Sequence, residues 1–196
     1  MESVKSVQVQ LRSVTPLLMH RYGGSKPSAE KAPRGKKTQA HIDAELRKDW
    51  FGAAYWENGT FHIPPEIIEA ALADAAKDFR LGKTFKKAMS VEDFFIPLQI
   101  FKDAGDQVGY QASGELDDWY KSEFVDVRGV RLGPSRIDRC RPIFRNWGLS
   151  FTVKYDEAQI TADQVRRALE AMAIGDFRPR YGRSKVAAFE SLWVAA

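Results

Sequence analysis

The sequence predicts an α+β domain in which one antiparallel sheet packs against two helices, and three observations lead to this fold class. Four segments alternate apolar and polar residues with the two-residue period of a strand, and two segments carry apolar residues at helical spacing. The six segments follow one another in the order strand, helix, strand, strand, helix, strand. A length of 196 residues with 44% hydrophobic content suits one core, so we expect a single domain over residues 1–196, with insertions at about 20–63 and 81–123.

The first half of this order consists of one strand and one helix. Residues 4–13 alternate between apolar and polar residues, with some irregularity, and predict a half-buried first strand. Pro64 and Pro65 then begin a helix over residues 66–79, because proline is favoured in the first helical turn. The apolar residues of this helix share one face and are Ile67, Ile68, Ala71, Leu72 and Ala75.

The second half supplies the other three strands and the second helix. Alternation predicts strands at 124–132 and 147–155, and Thr161 is suited to cap a helix that continues to about Met172. A final strand is predicted over residues 185–194. This is the order of the ferredoxin-like (RRM-like) fold, whose antiparallel sheet carries both helices on one face and leaves the other face open to a ligand.

The two insertions are predicted to contain a short helix and two hairpins. The helix covers about His41–Trp50, and the Asn58-Gly59 pair predicts a tight hairpin within residues 56–63. A longer hairpin is predicted from the β-rich residues 94–101 and 107–111.

The charge distribution indicates a polyanionic partner. The net charge is +4 and the pI about 9.1, which is modestly basic. Two segments are strongly basic: residues 20–40 hold six Lys and Arg residues against Glu30, and residues 128–145 hold six arginines against Asp138. We therefore expect the folded chain to present one basic face.

Composition also excludes several kinds of site. Cys140 is the only cysteine, so neither a disulfide framework nor a cysteine-based zinc site can form. The chain has no stretch of membrane-span length, and residues 1–5 do not resemble a signal peptide. We expect a cytoplasmic protein without a metal or other cofactor.

The most informative segment is the loop from Gly175 to Arg183, between the second helix and the last strand. Its three arginines, Arg178, Arg180 and Arg183, are suited to phosphate contact because each planar guanidinium donates in pairs and keeps its charge. Phe177 and Tyr181 would stack on bases or fill the core. The alternative is a structural loop whose arginines pair with carboxylates of the same chain.

Two further basic segments extend the predicted nucleic-acid surface. Arg136, Arg139 and Arg141 lie on a connection between predicted strands and would line one edge of the same groove, or else form a solvated connector. The basic loop at 21–40, with Arg21, Lys36 and Lys37, would add nonspecific attraction, or else be an ordinary solvated loop.

The loop and the strand after it resemble the C-terminal signature of the RAMP superfamily, the repeat-associated proteins of CRISPR effector complexes. The residues that carry the resemblance are Gly175, Arg178, Arg180, Gly182 and Arg183, followed by the strand at 185–194. The chain is most similar to the backbone subunits that coat guide RNA, or to RAMP-like relatives encoded by phages.

This resemblance implies a non-catalytic subunit that binds single-stranded nucleic acid, with RNA favoured. Such a subunit assembles with its own copies and with other effector subunits into a ribonucleoprotein of antiviral defence. It would also carry a thumb hairpin that kinks the bound strand. The hairpin around 103–106, with Ile100, Phe101 and Tyr110 as base wedges, is the candidate, and an ordinary edge hairpin is the alternative.

Two other functions stay open at this point. Some RNA-processing RAMP proteins are metal-independent endoribonucleases that use a histidine as general acid or base, and His20 is the best-placed candidate here. The three histidines, His20, His41 and His62, do not have metal-ligand spacing. A structural phage protein that reuses the fold is the third possibility.

Overall fold

The computed structural model describes residues 3–21, 38–133 and 135–192, and these ranges form twelve strands and four α-helices. The strands are β1 (Val4–Ser13), β2 (Leu17–Leu18), β3 (Trp56–Glu57), β4 (Thr60–Ile63), β5 (Met89–Val91), β6 (Ile96–Pro97), β7 (Gln99–Ile100), β8 (Tyr110–Gln111), β9 (Val125–Leu132), β10 (Ser135–Phe144), β11 (Trp147–Asp156) and β12 (Ser184–Leu192). The helices are α1 (Gln39–Ala53), α2 (Pro65–Ala75), α3 (Gly82–Ala88) and α4 (Ala162–Ala171).

The main sheet is antiparallel and has the order β12-β1-β11-β7-β8, with β5 also paired to β11. Its core face is apolar: alternate residues of β1 and β11 are fully or almost fully buried, namely Val7, Val9, Leu11, Leu149, Phe151 and Val153. Helices α2 and α4 contact each other and cover this core with their buried residues Ile68, Leu72, Val165 and Leu169. The α+β class predicted from the sequence is therefore confirmed.

Both predicted core helices form where the local signals place them. Pro65 is the first residue of α2, and the predicted continuation to Phe79 is a 3-10 turn over Ala76–Phe79. Thr161 caps α4 through a capping box, in which its side chain accepts from Gln164 N while the Gln164 side chain accepts from Thr161 N.

The predicted position of strand 124–132 in the main sheet is wrong. This segment is strand β9, but it pairs with β10 in a long two-stranded ribbon and not with β11. The place beside β11 is taken by β5 and β7, which have three and two residues. A clear alternation identifies a strand but not its partner, and strands this short carry no alternation to detect.

The two predicted insertion hairpins have different outcomes. The hairpin at 56–63 is confirmed as β3 and β4, joined by Asn58 and Gly59 with φ values of 52° and 74°. The hairpin over 94–111 forms only in part, because β7 and β8 are antiparallel partners but pair through only two residues each. Its proposed wedges Ile100 and Phe101 are buried, and only Tyr110 is exposed.

Helix α1 is longer than the predicted His41–Trp50 and is capped by the Thr38 side chain. It packs against the β9–β10 ribbon through contacts with β10, and the Trp50 indole N–H donates to the carbonyl oxygen of Phe124 at 2.9 Å. No helix in the described ranges is both long enough and apolar enough to cross a membrane.

Candidate nucleic-acid interface

The loop Gly175–Arg183 is held by backbone hydrogen bonds between its two ends and to the segment after β1. Ile174 N donates to Gly182 O at 3.0 Å, so the two ends of the loop meet. The segment after β1 holds both ends: Asp176 N donates to Leu18 O at 2.9 Å, and Gly182 N donates to Pro16 O at 2.8 Å. The backbone of the loop is therefore fixed before any ligand binds.

Two glycines make this closure possible. Gly175 and Gly182 have φ values of +80° and +73°, which side-chain-bearing residues rarely adopt. A Cβ at Gly175 would lie 2.5 Å from Leu18 O, and a Cβ at Gly182 would overlap the carbonyl oxygen of Ile174. Both positions require glycine for conformation and for space.

The three predicted arginines of the loop stay exposed. Among the described residues, the side chains of Arg178, Arg180 and Arg183 take part in no ion pair or hydrogen bond, and all three are exposed. The backbone of Arg183 is fixed by a bond from its N–H to Thr15 Oγ1 at 3.0 Å. The loop thus presents three guanidinium groups on a fixed backbone, without carboxylates bound to them.

Phe177 and Tyr181 stand beside Arg128, a residue that the sequence did not single out. The Arg128 guanidinium binds both carboxylate oxygens of Asp126 and the Tyr181 hydroxyl, which together raise its pKa. It lies 4.4 Å from the Tyr181 ring centroid and 5.7 Å from that of Phe177. Asp126 and Arg128 are two residues apart and so share one side of β9, which is the sequence signal that could have identified this pair.

Arg141 joins the β9–β10 ribbon to the loop. Its Nη2 lies 3.0 Å from Asp176 Oδ2, and its Nε donates to His20 Nδ1 at 3.1 Å. The side chain is 9% exposed, its Nη1 is buried without a partner among the described residues, and its guanidinium lies 5.5 Å from the Phe177 ring centroid. The two predicted basic segments therefore meet, but through a guanidinium that is already paired.

Of the other predicted cations, one forms an ion pair, two are exposed, and two lie outside the residues that the structure describes. Arg139 Nη1 binds Asp49 Oδ1 of α1 at 2.9 Å, so pairing within the chain occupies Arg139 as well as Arg141. Arg136 is exposed, and its parity along β10 places it on the opposite side of the ribbon. Arg21 is exposed, whereas Lys36 and Lys37 lie outside the described residues.

The open face of the main sheet is polar. The residues of β1 and β11 that alternate with the buried ones are Ser6, Gln8, Gln10, Arg12, Ser150, Thr152 and Lys154. The Gln8 amide bonds to the hydroxyls of Ser150 and Thr152, each at 3.2 Å. These two strands therefore offer no aromatic surface on which a base could stack.

His20, the alternative catalytic residue, is part of the same cluster. Desolvation, followed by the charge of Arg141, lowers its pKa, and Asp176 at 4.0 Å opposes this shift. Because Nδ1 accepts a hydrogen bond from Arg141, the neutral ring carries its proton on Nε2. Within the described part of the chain, no group of three or more His, Cys, Asp or Glu side chains is arranged to hold a metal ion.

The two histidines with lowered pKa predict a pH dependence of stability. Burial also lowers the pKa of His62, so the unfolded chain binds more protons than the folded chain just below the ordinary value of about 6.5. We expect the free energy of unfolding to be constant above about pH 7 and to fall as the pH drops from about 6.5 towards 5. Urea unfolding at several pH values measures this change, and in His20→Asn/His62→Asn the fall should be smaller. An equal fall in the double variant would contradict the assignment to these histidines.

Comparisons with known proteins add little to this geometry. No family model matches the chain, and no curated protein matches it. One solved structure that it resembles is a chain of the Type III-B Cmr-beta bound to cognate target RNA, determined by cryo-electron microscopy, with 12% identity and a TM-score of 0.45. The alignment covers 98% of this chain but only 62% of that one. At this identity and TM-score, the likeness does not establish a shared fold or function.

Proposed function

We propose that this chain is a non-catalytic protein that binds single-stranded nucleic acid through the loop Gly175–Arg183. The observation that carries the proposal is the set of three exposed guanidinium groups, Arg178, Arg180 and Arg183, none of which forms an ion pair with a described carboxylate. Each can donate two hydrogen bonds to a phosphate, and phosphate neutralisation is the main source of affinity for a single strand.

The surroundings of the loop favour this role over a purely structural one. In a structural loop, the exposed arginines would be expected to bind carboxylates, as Arg139 and Arg141 do. Instead, Arg141 fixes the loop through Asp176, whereas Arg178, Arg180 and Arg183 are unpaired at its surface. A fixed backbone reduces the conformational entropy that the protein loses on binding.

Phe177 is the aromatic residue of the loop best suited to meet a base. It is 42% exposed and has a left-handed backbone, with φ of 53°, which is rare for an aromatic residue. The guanidinium carbons of Arg128 and Arg141 lie 5.7 and 5.5 Å from the centroid of the Phe177 ring, and these contacts hold its orientation. Base stacking on such a ring adds about 1–3 kcal/mol per base and tolerates any sequence.

We further propose that this chain is a RAMP-like subunit with a ferredoxin-like core. The elements β1, α2, β5, β11, α4 and β12 follow the βαββαβ order, and the sheet order β12-β1-β11-β5 supports a ferredoxin-like core. Together with the resemblance of the loop to the RAMP signature, this favours a RAMP-like subunit that binds guide RNA. Such a subunit would assemble along the strand with its own copies and with other effector subunits.

The thumb of this subunit is better assigned to the β9–β10 ribbon than to the hairpin at 103–106. The ribbon has strands of eight and ten residues, and its outer residues Arg131 and Arg136 are exposed. The short β7–β8 pair has its apolar side chains Ile100 and Phe101 in the core.

The state of His20 supports a binding role over an endoribonuclease. A general base needs a free ring nitrogen, but Nδ1 of His20 is occupied by Arg141. A general acid needs to be protonated near neutral pH, but the pKa of His20 is lowered. This arrangement suits a histidine that orients Arg141.

The test is whether the purified chain carries RNA. We expect a raised ratio of absorbance at 260 nm to absorbance at 280 nm, which ribonuclease lowers and deoxyribonuclease does not. After the nucleic acid is removed, fluorescence anisotropy should show binding to labelled oligouridine and weaker binding to oligodeoxyuridine. A chain that is free of nucleic acid and binds neither oligonucleotide at low salt would contradict the proposal.

A further inference from the structure

A second group of exposed cations lies on the turn from α2 into α3, outside the loop and the ribbon. Residues 77–87 contain five basic side chains and one acid, Asp78. The five are all exposed and are Lys77, Arg80, Lys83, Lys86 and Lys87. Lys77 pairs with Asp74, whereas the other four side chains make no ion pair or hydrogen bond with any residue that the structure describes.

The packing of this turn fixes the direction of these cations. Phe85 and Ala88 of α3 are buried against the core, so Lys83, Lys86 and Lys87 lie on the outer side of the helix. Gly82 brings α3 close to α2, because a Cβ there would lie 2.9 Å from Ala73 O. The lysines of α3 are therefore held on a packed helix pair rather than on a loose connection.

This surface continues into the loop Gly175–Arg183. A cleft of about 570 Å³ separates α2 from the loop, and Asp74 and Asp78 line it on one side, with Phe177 and Arg178 on the other. Asp74 lies between the two groups of cations. Lys77, Arg178 and Lys86 are all close enough to lower its pKa, and Lys77 contributes most. The guanidinium of Arg167 on α4 lies 4.9 Å from the Phe79 ring centroid, at the same turn.

We infer that the bound strand leaves the loop at Arg178, passes over the cleft and continues along the α3 lysines Lys83, Lys86 and Lys87. This inference rests on the function proposed above and names the second half of the binding surface. The ligand is the sugar–phosphate backbone of a single strand, since scattered lysine ammonium groups provide point charges without base readout.

The charges on the path favour a polyanion despite the three acids that line the cleft, Asp74, Asp78 and Asp176, of which Asp176 pairs with Arg141. Asp74 is neutralised by Lys77, which leaves Asp78 as the one acid on the turn without an ion pair among the described residues. Five exposed cations lie on the same path, namely Arg80, the three α3 lysines and Arg178. An acidic protein could use the same cations, and the experiment below separates it from nucleic acid.

The experiment compares two lengths of labelled oligouridine, about 5 and about 20 nucleotides, since single-strand sites of about 4–16 nucleotides are usual. In Lys83→Gln/Lys86→Gln/Lys87→Gln, the longer strand should bind at least tenfold more weakly at low salt. The slope of log K against log salt should fall by up to about 2, at about 0.7 for each lost phosphate contact. The shorter strand, held by the loop, should bind as in the unchanged protein. The matched control is Lys48→Gln/Lys102→Gln/Lys121→Gln, which removes three exposed lysines from other elements and should change neither strand.

The outcomes separate this inference from the proposed function. If the α3 variant binds the longer strand with unchanged affinity and slope while loop variants lose both lengths, the inference is overturned and the loop site stands. An α3 surface used by an acidic protein would give this same result. If loop variants also leave both lengths unaffected, the proposed function fails with it.

Discussion

Replacing Arg178 and Arg180 with alanine is expected to weaken the binding of single-stranded RNA at least about a hundredfold at low salt. Each arginine makes a charge-assisted bond to phosphate in our proposal, and such a bond contributes about 1.5–3 kcal/mol. The salt slope should fall by about 1.4 in total, because each phosphate contact contributes about 0.7 on a single strand. Fluorescence anisotropy titrations with labelled oligouridine at several salt concentrations measure both quantities.

The expected loss does not involve folding, which makes the result easy to interpret. Both side chains are exposed and without partners among the described residues, so the free energy of unfolding should change by less than about 0.5 kcal/mol. Lys48→Ala/Arg145→Ala is the matched control, since it removes the same charge from exposed positions on α1 and on the turn before β11 that form no ion pair with a described residue. Equal affinities for the two double variants would show that general positive charge, and not the loop, holds the strand.

Gly182→Ala is expected to have the largest effect on the structure. The new Cβ would overlap the carbonyl oxygen of Ile174 and lie 2.7 Å from its carbonyl carbon, and φ of +73° adds the cost of a left-handed conformation. Because both neighbours are backbone atoms, no side chain can rotate away. We expect the free energy of unfolding to fall by about 3 kcal/mol or more and RNA binding to be lost with the loop geometry.

Urea unfolding followed by circular dichroism measures the stability of this variant. Gly105→Ala is the control, because a Cβ at Gly105 meets nothing within 4 Å and this glycine lies on an exposed turn. It should remain within about 0.5 kcal/mol of the unchanged protein. If Gly182→Ala had the same stability as Gly105→Ala, the closure of the loop through Ile174 and Gly182 would be wrong.

The two variants separate the charge of the loop from its shape. The arginine variant removes cations and keeps the backbone, whereas the glycine variant keeps every cation and changes the backbone that positions them. Binding that survives Gly182→Ala in a folded protein would mean that the arginines act as a flexible tether.

Local sequence signals were sufficient for the elements that depend on neighbouring residues. The capping box at Thr161, the proline start of α2 and the Asn58-Gly59 turn each involve contacts within a few residues, so the sequence contains the whole interaction. The same holds for the long alternating strands β1 and β11, whose buried residues follow the two-residue period.

The sequence by itself thus determined the fold class, the main helices and strands, and the position of the arginine-rich loop between α4 and β12. Only the tertiary structure decided which strand lies beside β11 and which arginines are free. Strand pairing is set by contacts between distant residues, and the two- and three-residue strands β5 and β7 leave no local period. The sequence does not show whether an arginine is paired with a carboxylate. Arg139 pairs with Asp49, which is 90 residues away along the chain, and Arg141 pairs with Asp176, which is 35 residues away.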